Sequence, residues 1–190
     1  MLGLDFENDY KHMDFPVSGT LHEVGATVAG STSFLPMQIW DQDNSIMGFT
    51  SGFGIASAHD LAKFYWDYLG PDHYVTSDAM LKEAYTFGPM DRGWEGGNFN
   101  YGGGLMFMHS NHNEAKPFNL NMTTTYIGHE GITYGFHSRT GYYAVPGFAM
   151  SVIVNNDWDK SYPSTVQCHM TQIILKHKGF PKSEYELGCG

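Results

Sequence analysis

Residues 126–155, with the sequence YIGHEGITYGFHSRTGYYAVPGFAMSVIVN, decide the fold of this chain. Two runs rich in aromatic and β-branched residues, Tyr134 to Val145 and Phe148 to Asn155, are separated by Pro146-Gly147. Proline presets φ at the first central position of a type II turn, and glycine accepts the positive φ at the second. The stretch therefore predicts a β-hairpin closed by a type II turn, after a strand that begins at Tyr126.

A helix is predicted after this hairpin, over about Pro163–His177. Proline is favoured at the first helical position, because that position needs no backbone N–H donor. One side of the helix carries an apolar stripe, which we expect to face the sheet. The stripe consists of Val166, Met170, Ile173 and Ile174. Hairpin and helix together predict an antiparallel sheet with a packed C-terminal helix.

Two further helices are predicted before the hairpin. Apolar residues recur at helical spacing in Ala58–Leu69, and Ser57 with Asp60 provides a capping box at its start. A shorter helix is predicted from Asp78 to about Tyr85, with Ser77 as its cap. The face expected to point inward in this shorter helix consists of Met80, Leu81, Ala84 and Tyr85.

The segment Tyr101–Met108 is apolar and glycine-rich and is predicted to be one strand. Residues 1–50 show no sustained helical or strand period, which predicts irregular, packed connections. The order of helices, strands and closing helix predicts an α+β fold. We divide it into residues 1–98, part of a helical region with irregular connections, and residues 99–190, the C-terminal strands and closing helix of the central sheet.

Composition excludes two classes of protein. The formal net charge of −10, from 20 acidic and 10 basic residues, argues against a nucleic-acid partner because it repels phosphate. No stretch has the roughly 18 consecutive apolar residues of a membrane-spanning helix.

We expect no cofactor and no metal, since the spacing of His109 and His112 matches no zinc signature. Cys168 and Cys189 could form a disulfide or remain two thiols, and we favour free thiols.

Three segments carry a family resemblance through their order and spacing. They are SGFGIASAHDLAKF at residues 51–64, YGGGL at residues 101–105 and GHEGITYGFHS at residues 128–138. They resemble the C-terminal half of the serine β-lactamase-related hydrolases, which include class C β-lactamases, D-alanyl-D-alanine carboxypeptidase-like peptidases and esterases. The resemblance covers about residues 45–178. It implies a β-lactamase/transpeptidase-like fold and acyl-enzyme chemistry on an ester, a D-residue peptide or a β-lactam.

The family's nucleophile is the serine of a Ser-x-x-Lys element, in which lysine helps to deprotonate the serine. This sequence contains no Ser-x-x-Lys, and neither Tyr-x-Asn nor Ser-x-Asn, the family's second element. The resemblance therefore implies that the chain is the C-terminal part of a longer hydrolase and is inactive alone. Its expected partners are a small-molecule or peptide substrate, and either the missing N-terminal half or another copy at an uncovered sheet edge.

The third segment supplies the expected site residues. The resemblance places His129 at the Lys/His position of a Lys/His-x-Gly element, where a polar side chain meets the substrate acyl group. Gly131 would let the substrate backbone approach, and the amide of Ile132 matches one oxyanion donor. Glu130 and Tyr134 are the expected substrate-binding residues. Since Glu130 replaces the threonine usual in β-lactamases, its charge would repel a substrate carboxylate, which favours an esterase or aminopeptidase-like relative.

A second interpretation comes from a different class of protein. A non-catalytic β-lactamase-like chain would use the same cleft to bind a ligand or a partner, or would be structural. The missing Ser-x-x-Lys element is compatible with both interpretations. The family resemblance implies a secreted or periplasmic location, which the residues themselves do not indicate.

Overall fold

The computed structural model describes residues 20–21, 37–38, 56–89, 100–109, 122–133, 136–154, 163–186 and 188–189. The helices in these ranges are α1 (Ala58–Leu69), α2 (Asp78–Ala84), α3 (Pro163–His177) and α4 (Lys182–Tyr185). The strands are β1 (Thr20–Leu21), β2 (Met37–Gln38), β3 (Gly88–Pro89), β4 (Asn100–Gly102), β5 (Leu105–His109), β6 (Thr125–Thr133), β7 (Phe136–Tyr143) and β8 (Phe148–Val154). The predicted bounds of α1 and α3 are confirmed.

Strands β3 to β8 form one sheet in chain order, and β1 pairs with β2 separately. The ladders from β3 to β6 are antiparallel. Short connections join β6 to β7 and β7 to β8, which only antiparallel neighbours permit. An antiparallel sheet with packed helices is the α+β class that the sequence predicts.

The segment Tyr101–Met108 is a hairpin, so the prediction of a single strand is wrong. The chain reverses at Gly103 and Gly104, whose φ values are +57° and +78°. This left-handed backbone favours glycine, because glycine has no Cβ to clash. Strand β4 therefore folds back on β5, with Tyr101 opposite Met106.

The predicted hairpin of β7 and β8 is confirmed, but its type II turn is wrong. The backbone N–H of Gly147 donates to the carbonyl oxygen of Tyr143 at 2.9 Å, so residues 144–147 form a four-residue connection. Gly147 has φ +63°, as a glycine in such a turn permits. The rings of Tyr143 and Phe148 stack across the strands with centroids 4.3 Å apart.

Side chains of the sheet contribute to two hydrophobic clusters, because successive residues of a strand point to opposite faces. The first cluster joins the sheet to α3 through Met106, Met108, Tyr126, Tyr143, Phe148, Met150, Val152 and Leu175. The second joins the sheet to α1 and α2 through Tyr65, Leu69, Ala84, Leu105, Ile127 and Tyr142. The sheet therefore has α3 on one face and α1 with α2 on the other.

The predicted helix caps are present. The Ser57 hydroxyl accepts from the Asp60 amide at 3.1 Å, and the Ser77 hydroxyl accepts from the Met80 amide at 3.3 Å.

Met80 itself is 66% exposed, so the prediction that it faces inward is wrong. Because α2 is only seven residues long, it buries one residue, Ala84, against the sheet.

The predicted orientation of α3 is wrong for three of the four stripe residues, and only Ile174 packs against the first cluster. Its buried residues are Pro163, Gln167, Cys168, Thr171 and Leu175, whereas Val166, Met170 and Ile173 of the predicted inward stripe are exposed. A polar contact replaces the expected apolar one: the Thr171 hydroxyl donates to the backbone oxygen of Gln167 at 2.8 Å, and the Tyr143 hydroxyl, 3.1 Å away, donates to Thr171. The inward side of the helix therefore carries two buried polar residues, Gln167 and Thr171, beside apolar ones.

Cys168 and Cys189 form a disulfide with Cα atoms 5.7 Å apart, so the favoured free thiols are wrong. The bond is possible because the chain after α3 returns to the helix. Phe180 and Tyr185 pack against the cluster that contains Leu175. Spacing along the sequence could not show this return.

Two compact units divide the chain. One contains Met1–Ile55, Gly131–Ser138 and Ile153–Ser161, and the other contains Ala56–Glu130, Arg139–Val152 and Tyr162–Gly190. All four helices and both hydrophobic clusters belong to the second unit. The boundary at residue 98 stays a prediction. No helix in the described ranges is long and apolar enough to cross a membrane.

Candidate functional site

His129 lies on β6 immediately beyond the ladder with β5. The last pair of that ladder joins Met106 to Gly128, so His129 is the first residue of β6 past it. Gly131 and Ile132 follow on the same strand. Tyr134, the other expected substrate-binding residue, lies outside the described residues.

The side chain of His129 is held at both ring nitrogens. Nε2 lies 3.3 Å from the hydroxyl of Tyr101 on β4, and Nδ1 lies 2.6 Å from the backbone carbonyl oxygen of Glu130. A carbonyl oxygen can only accept, so Nδ1 carries a proton; in the tautomer that this bond selects, Nε2 accepts from Tyr101. The basic atom of the imidazole is therefore Nε2, beside a phenolic O–H.

The Tyr101–His129 pair can hold or transfer a proton. The two rings meet edge to face, with centroids 5.8 Å apart and planes at 85°. Both side chains are only partly buried. An oriented imidazole with a neighbouring hydroxyl has the composition of a general acid–base pair.

Close contact between β6 and β7 at Gly128 supports this arrangement. A Cβ at Gly128 would lie 1.9 Å from the backbone oxygen of Thr140, and a Cβ at Gly141 would lie 2.5 Å from Cδ2 of Tyr126. No side chain fits at these distances, so both positions require glycine. The backbone of β6 is thereby held one residue before His129.

Glu130 and Arg139 form an ion pair between β6 and β7. Arg139 Nε lies 3.5 Å from Glu130 Oε2, with the side chains 1% and 12% exposed. The guanidinium carbon also lies 5.7 Å from the centroid of the Tyr126 ring, within cation–π distance. Burial raises the pKa of Tyr126 above its ordinary value, and the positive charge of Arg139 opposes that rise.

This ion pair changes the electrostatics expected of Glu130. A carboxylate beside a buried cation is neutral as a pair, so it repels a distant anion less than an isolated carboxylate does. Within the described part of the chain, Nε and Nη1 of Arg139 have no hydrogen-bond partner. The guanidinium is therefore held there by its ion pair with Glu130 and by the cation–π contact with the Tyr126 ring.

Two residues of this site escaped the sequence-based prediction. Tyr101 belongs to the YGGGL segment, but its role depends on the unpredicted hairpin of β4 and β5. Arg139 is the one Lys or Arg in β7, a strand rich in aromatic residues. That isolation is a usable signal, because charged side chains are rarely buried without a partner.

No known protein family matches the chain, and neither does any curated protein or solved structure. Membership of the hydrolase family therefore stays a prediction. The described residues also include no group of three or more His, Cys, Asp or Glu that could hold a metal ion. His112 lies outside the described ranges.

Proposed function

We propose that this chain carries the substrate-facing strand of a serine β-lactamase-related acyl hydrolase, with His129 as its proton-handling residue. The main support is the hydrogen bond of 3.3 Å between the Tyr101 hydroxyl and His129 Nε2. This bond joins the YGGGL and GHEGITYGFHS segments, whose bonded residues are 28 apart in sequence. The proposed fold is accordingly the C-terminal part of a β-lactamase/transpeptidase-like fold.

The proposed chemistry assigns one task to each residue of the strand. Attack on an acyl carbon places negative charge on the carbonyl oxygen, which backbone N–H donors stabilise. The Ile132 amide is the proposed donor from this chain, and Gly131 leaves room for the substrate beside it. His129 Nε2 would take up or return a proton, with Tyr101 orienting the ring.

The nucleophile is proposed to come from a segment that these 190 residues do not contain. Acyl-enzyme chemistry of this family needs a serine activated by the lysine of Ser-x-x-Lys, and the sequence has none. The same polypeptide or a second one could supply that segment. On this proposal the 190-residue chain alone forms no acyl-enzyme.

The substrate class is proposed to be an ester, a peptide with a D-residue or a β-lactam. Glu130 was expected to disfavour substrates that carry a carboxylate. The contact with Arg139 weakens that argument, because the guanidinium offsets the charge of Glu130. Substrates with a carboxylate therefore remain within the proposed class.

A covalent probe tests the proposal. The natural protein, captured with an antibody against this chain, is treated with a fluorophosphonate, and the modified residue is located by tandem mass spectrometry. We expect the label on the serine of a Ser-x-x-Lys element in a polypeptide that contains or accompanies this chain. A label on a serine within these 190 residues, or no label in any native sample, contradicts the proposal. Heat-denatured protein is the control for non-specific labelling.

A non-catalytic relative is the second candidate, because a chain without Ser-x-x-Lys is compatible with it as well as with a part of a longer hydrolase. Its cleft would bind a β-lactam or a D-residue peptide reversibly and without turnover. Isothermal titration calorimetry of the unlabelled natural protein distinguishes this case. Binding that is lost in His129→Ala, without any covalent product, identifies a binding protein that uses the same strand.

A further inference from the structure

The outer side of α3 presents three large apolar side chains to solvent. Val166 is 43%, Met170 39% and Ile173 67% exposed. Their spacing of four and three residues places them on one side of the helix, along about 10 Å of its axis. We call these three residues the outer stripe. A soluble surface rarely concentrates large apolar side chains on the side of a helix opposite to its buried face.

The inner side of the same helix does not account for this pattern. Gln167 and Thr171, both fully buried, lie on it, and Cys168 is tied to Cys189. The disulfide and the contact between Thr171 and Tyr143 hold α3 in its observed rotation. The outer stripe therefore cannot turn towards the sheet without breaking these bonds.

Basic residues lie at the C-terminal end of the outer stripe. The helix has no acidic residue in its first turn and carries Lys176 and His177 in its last turn. Lys178 follows directly and donates to the backbone oxygen of Gly147 at 3.3 Å. This basic end lies on a chain whose net charge is −10, so the positive charge is a local feature of α3.

We propose that the outer stripe of α3 is the docking site for an acidic amphipathic helix of another protein. Helices pack through apolar residues at this spacing, and a stripe of about two turns accommodates one crossing helix. Acidic residues flanking the partner's apolar stripe complement Lys176 and His177, which gives orientation and specificity. The site is separate from the strand assigned to acyl transfer and does not depend on that assignment.

Charge argues against two other occupants. A second copy would offer an α3 that has no acidic residue between 163 and 177, so neither a parallel nor an antiparallel pair of these helices brings opposite charges together. A membrane surface is disfavoured because interfacial helices combine Trp, Phe or Leu with many basic residues, whereas the outer stripe contains no Trp, Phe or Leu and Lys176 is the one Lys or Arg of this helix.

Two designed peptides test the proposal with the full chain. Both carry the same leucine stripe, flanked by Glu in one peptide and by Lys in the other, and binding is followed by fluorescence anisotropy. We expect the Glu peptide to bind about 10-fold tighter than the Lys peptide. Ile173→Ser should weaken Glu-peptide binding by about 5-fold or more, and Lys176→Glu should reverse the preference between the peptides.

Met80→Ser is the matched control, because Met80 is 66% exposed on α2 and should not affect binding. All the changed side chains are exposed, and circular dichroism verifies that each variant keeps its fold. Equal binding of both peptides, or Glu-peptide binding unaffected by Ile173→Ser, overturns the proposal. Two other results also overturn the proposal. One is a self-dimer in sedimentation equilibrium that Ile173→Ser abolishes, and the other is binding to phosphatidylserine vesicles that Ile173→Ser abolishes.

Discussion

Arg139 Nε lies 3.5 Å from Glu130 Oε2, and the Arg139 side chain is 1% exposed. The pair connects β7 to the strand that carries His129. A buried ion that loses its partner is left uncompensated, which costs far more than the net value of the pair. The stability of β6 next to the candidate site therefore depends on two opposite charges being present together.

The first prediction concerns this pair. Glu130→Leu should lower the free energy of unfolding by about 3–5 kcal/mol, because it leaves Arg139 buried without a counter-charge. Glu130→Leu with Arg139→Leu should recover most of that loss. Urea unfolding of both variants measures the effect, and the exposed pair Lys182–Glu186 is the control, with an expected coupling of at most about 1 kcal/mol. A double variant as unstable as Glu130→Leu would contradict the prediction.

Gly128→Ala should destabilise the protein by about 3 kcal/mol or more, because the new Cβ would lie 1.9 Å from the backbone oxygen of Thr140. That oxygen belongs to a neighbouring strand and cannot move away without breaking the sheet. Gly88→Ala is the control, since a Cβ there meets nothing within 4 Å. Thermal unfolding of both variants gives the comparison, and similar melting temperatures would rule out the close approach of β6 and β7.

Reduction of the disulfide should destabilise the chain. Cross-linking Cys168 to Cys189, 21 residues apart, restricts the unfolded chain and is worth about 3 kcal/mol. For a chain of this length, that loss lowers the melting temperature by about 6–12 °C. Calorimetry with and without a phosphine reductant measures the shift. Cys189→Ser should melt at the reduced temperature and should not respond to the reductant.

Stability should fall at alkaline pH, partly through Tyr65. Burial raises the pKa of Tyr65 from 10.0 to about 12, so the unfolded chain loses this phenolic proton first. The contribution of Tyr65 is fully present below pH 10 and is lost as the pH rises towards 12, with a magnitude of about 2–3 kcal/mol. Tyr65→Phe keeps the ring and removes the titration. Its stability should therefore decline less than that of the unmodified chain over this interval, and parallel declines would exclude the effect.

The site prediction requires the active natural protein. His129→Ala should lower turnover by about 10- to 1,000-fold, the range for loss of a proton-transferring group. Tyr101→Phe should have a smaller effect in the same direction, because it removes the hydrogen bond to Nε2 and leaves the imidazole. His59→Ala, at a side chain 85% exposed on α1, is the control. Turnover unchanged in His129→Ala would remove this residue from the site.

The sequence by itself determined the elements whose signals are local. The bounds of α1 and α3 follow from apolar spacing, from the Ser57 cap and from Pro163, all within a few residues of the helix ends. The hairpin of β7 and β8 follows from two strand-forming runs around Pro146-Gly147. These predictions succeed because capping and strand-forming preference depend on neighbours in the chain, whereas the predicted type of the turn at Pro146-Gly147 was wrong.

Tertiary structure alone decided which surfaces and residues meet. Periodicity placed Val166, Met170 and Ile173 on one side of α3, but the disulfide and the Tyr143 hydroxyl turned the other side inward. The remaining decisive contacts are long-range pairs: Tyr101 with His129, Glu130 with Arg139, and Cys168 with Cys189. Such pairs depend on strand register and on the return of the chain after α3. Both arise from burial and hydrogen bonding between distant segments, which local sequence patterns do not encode.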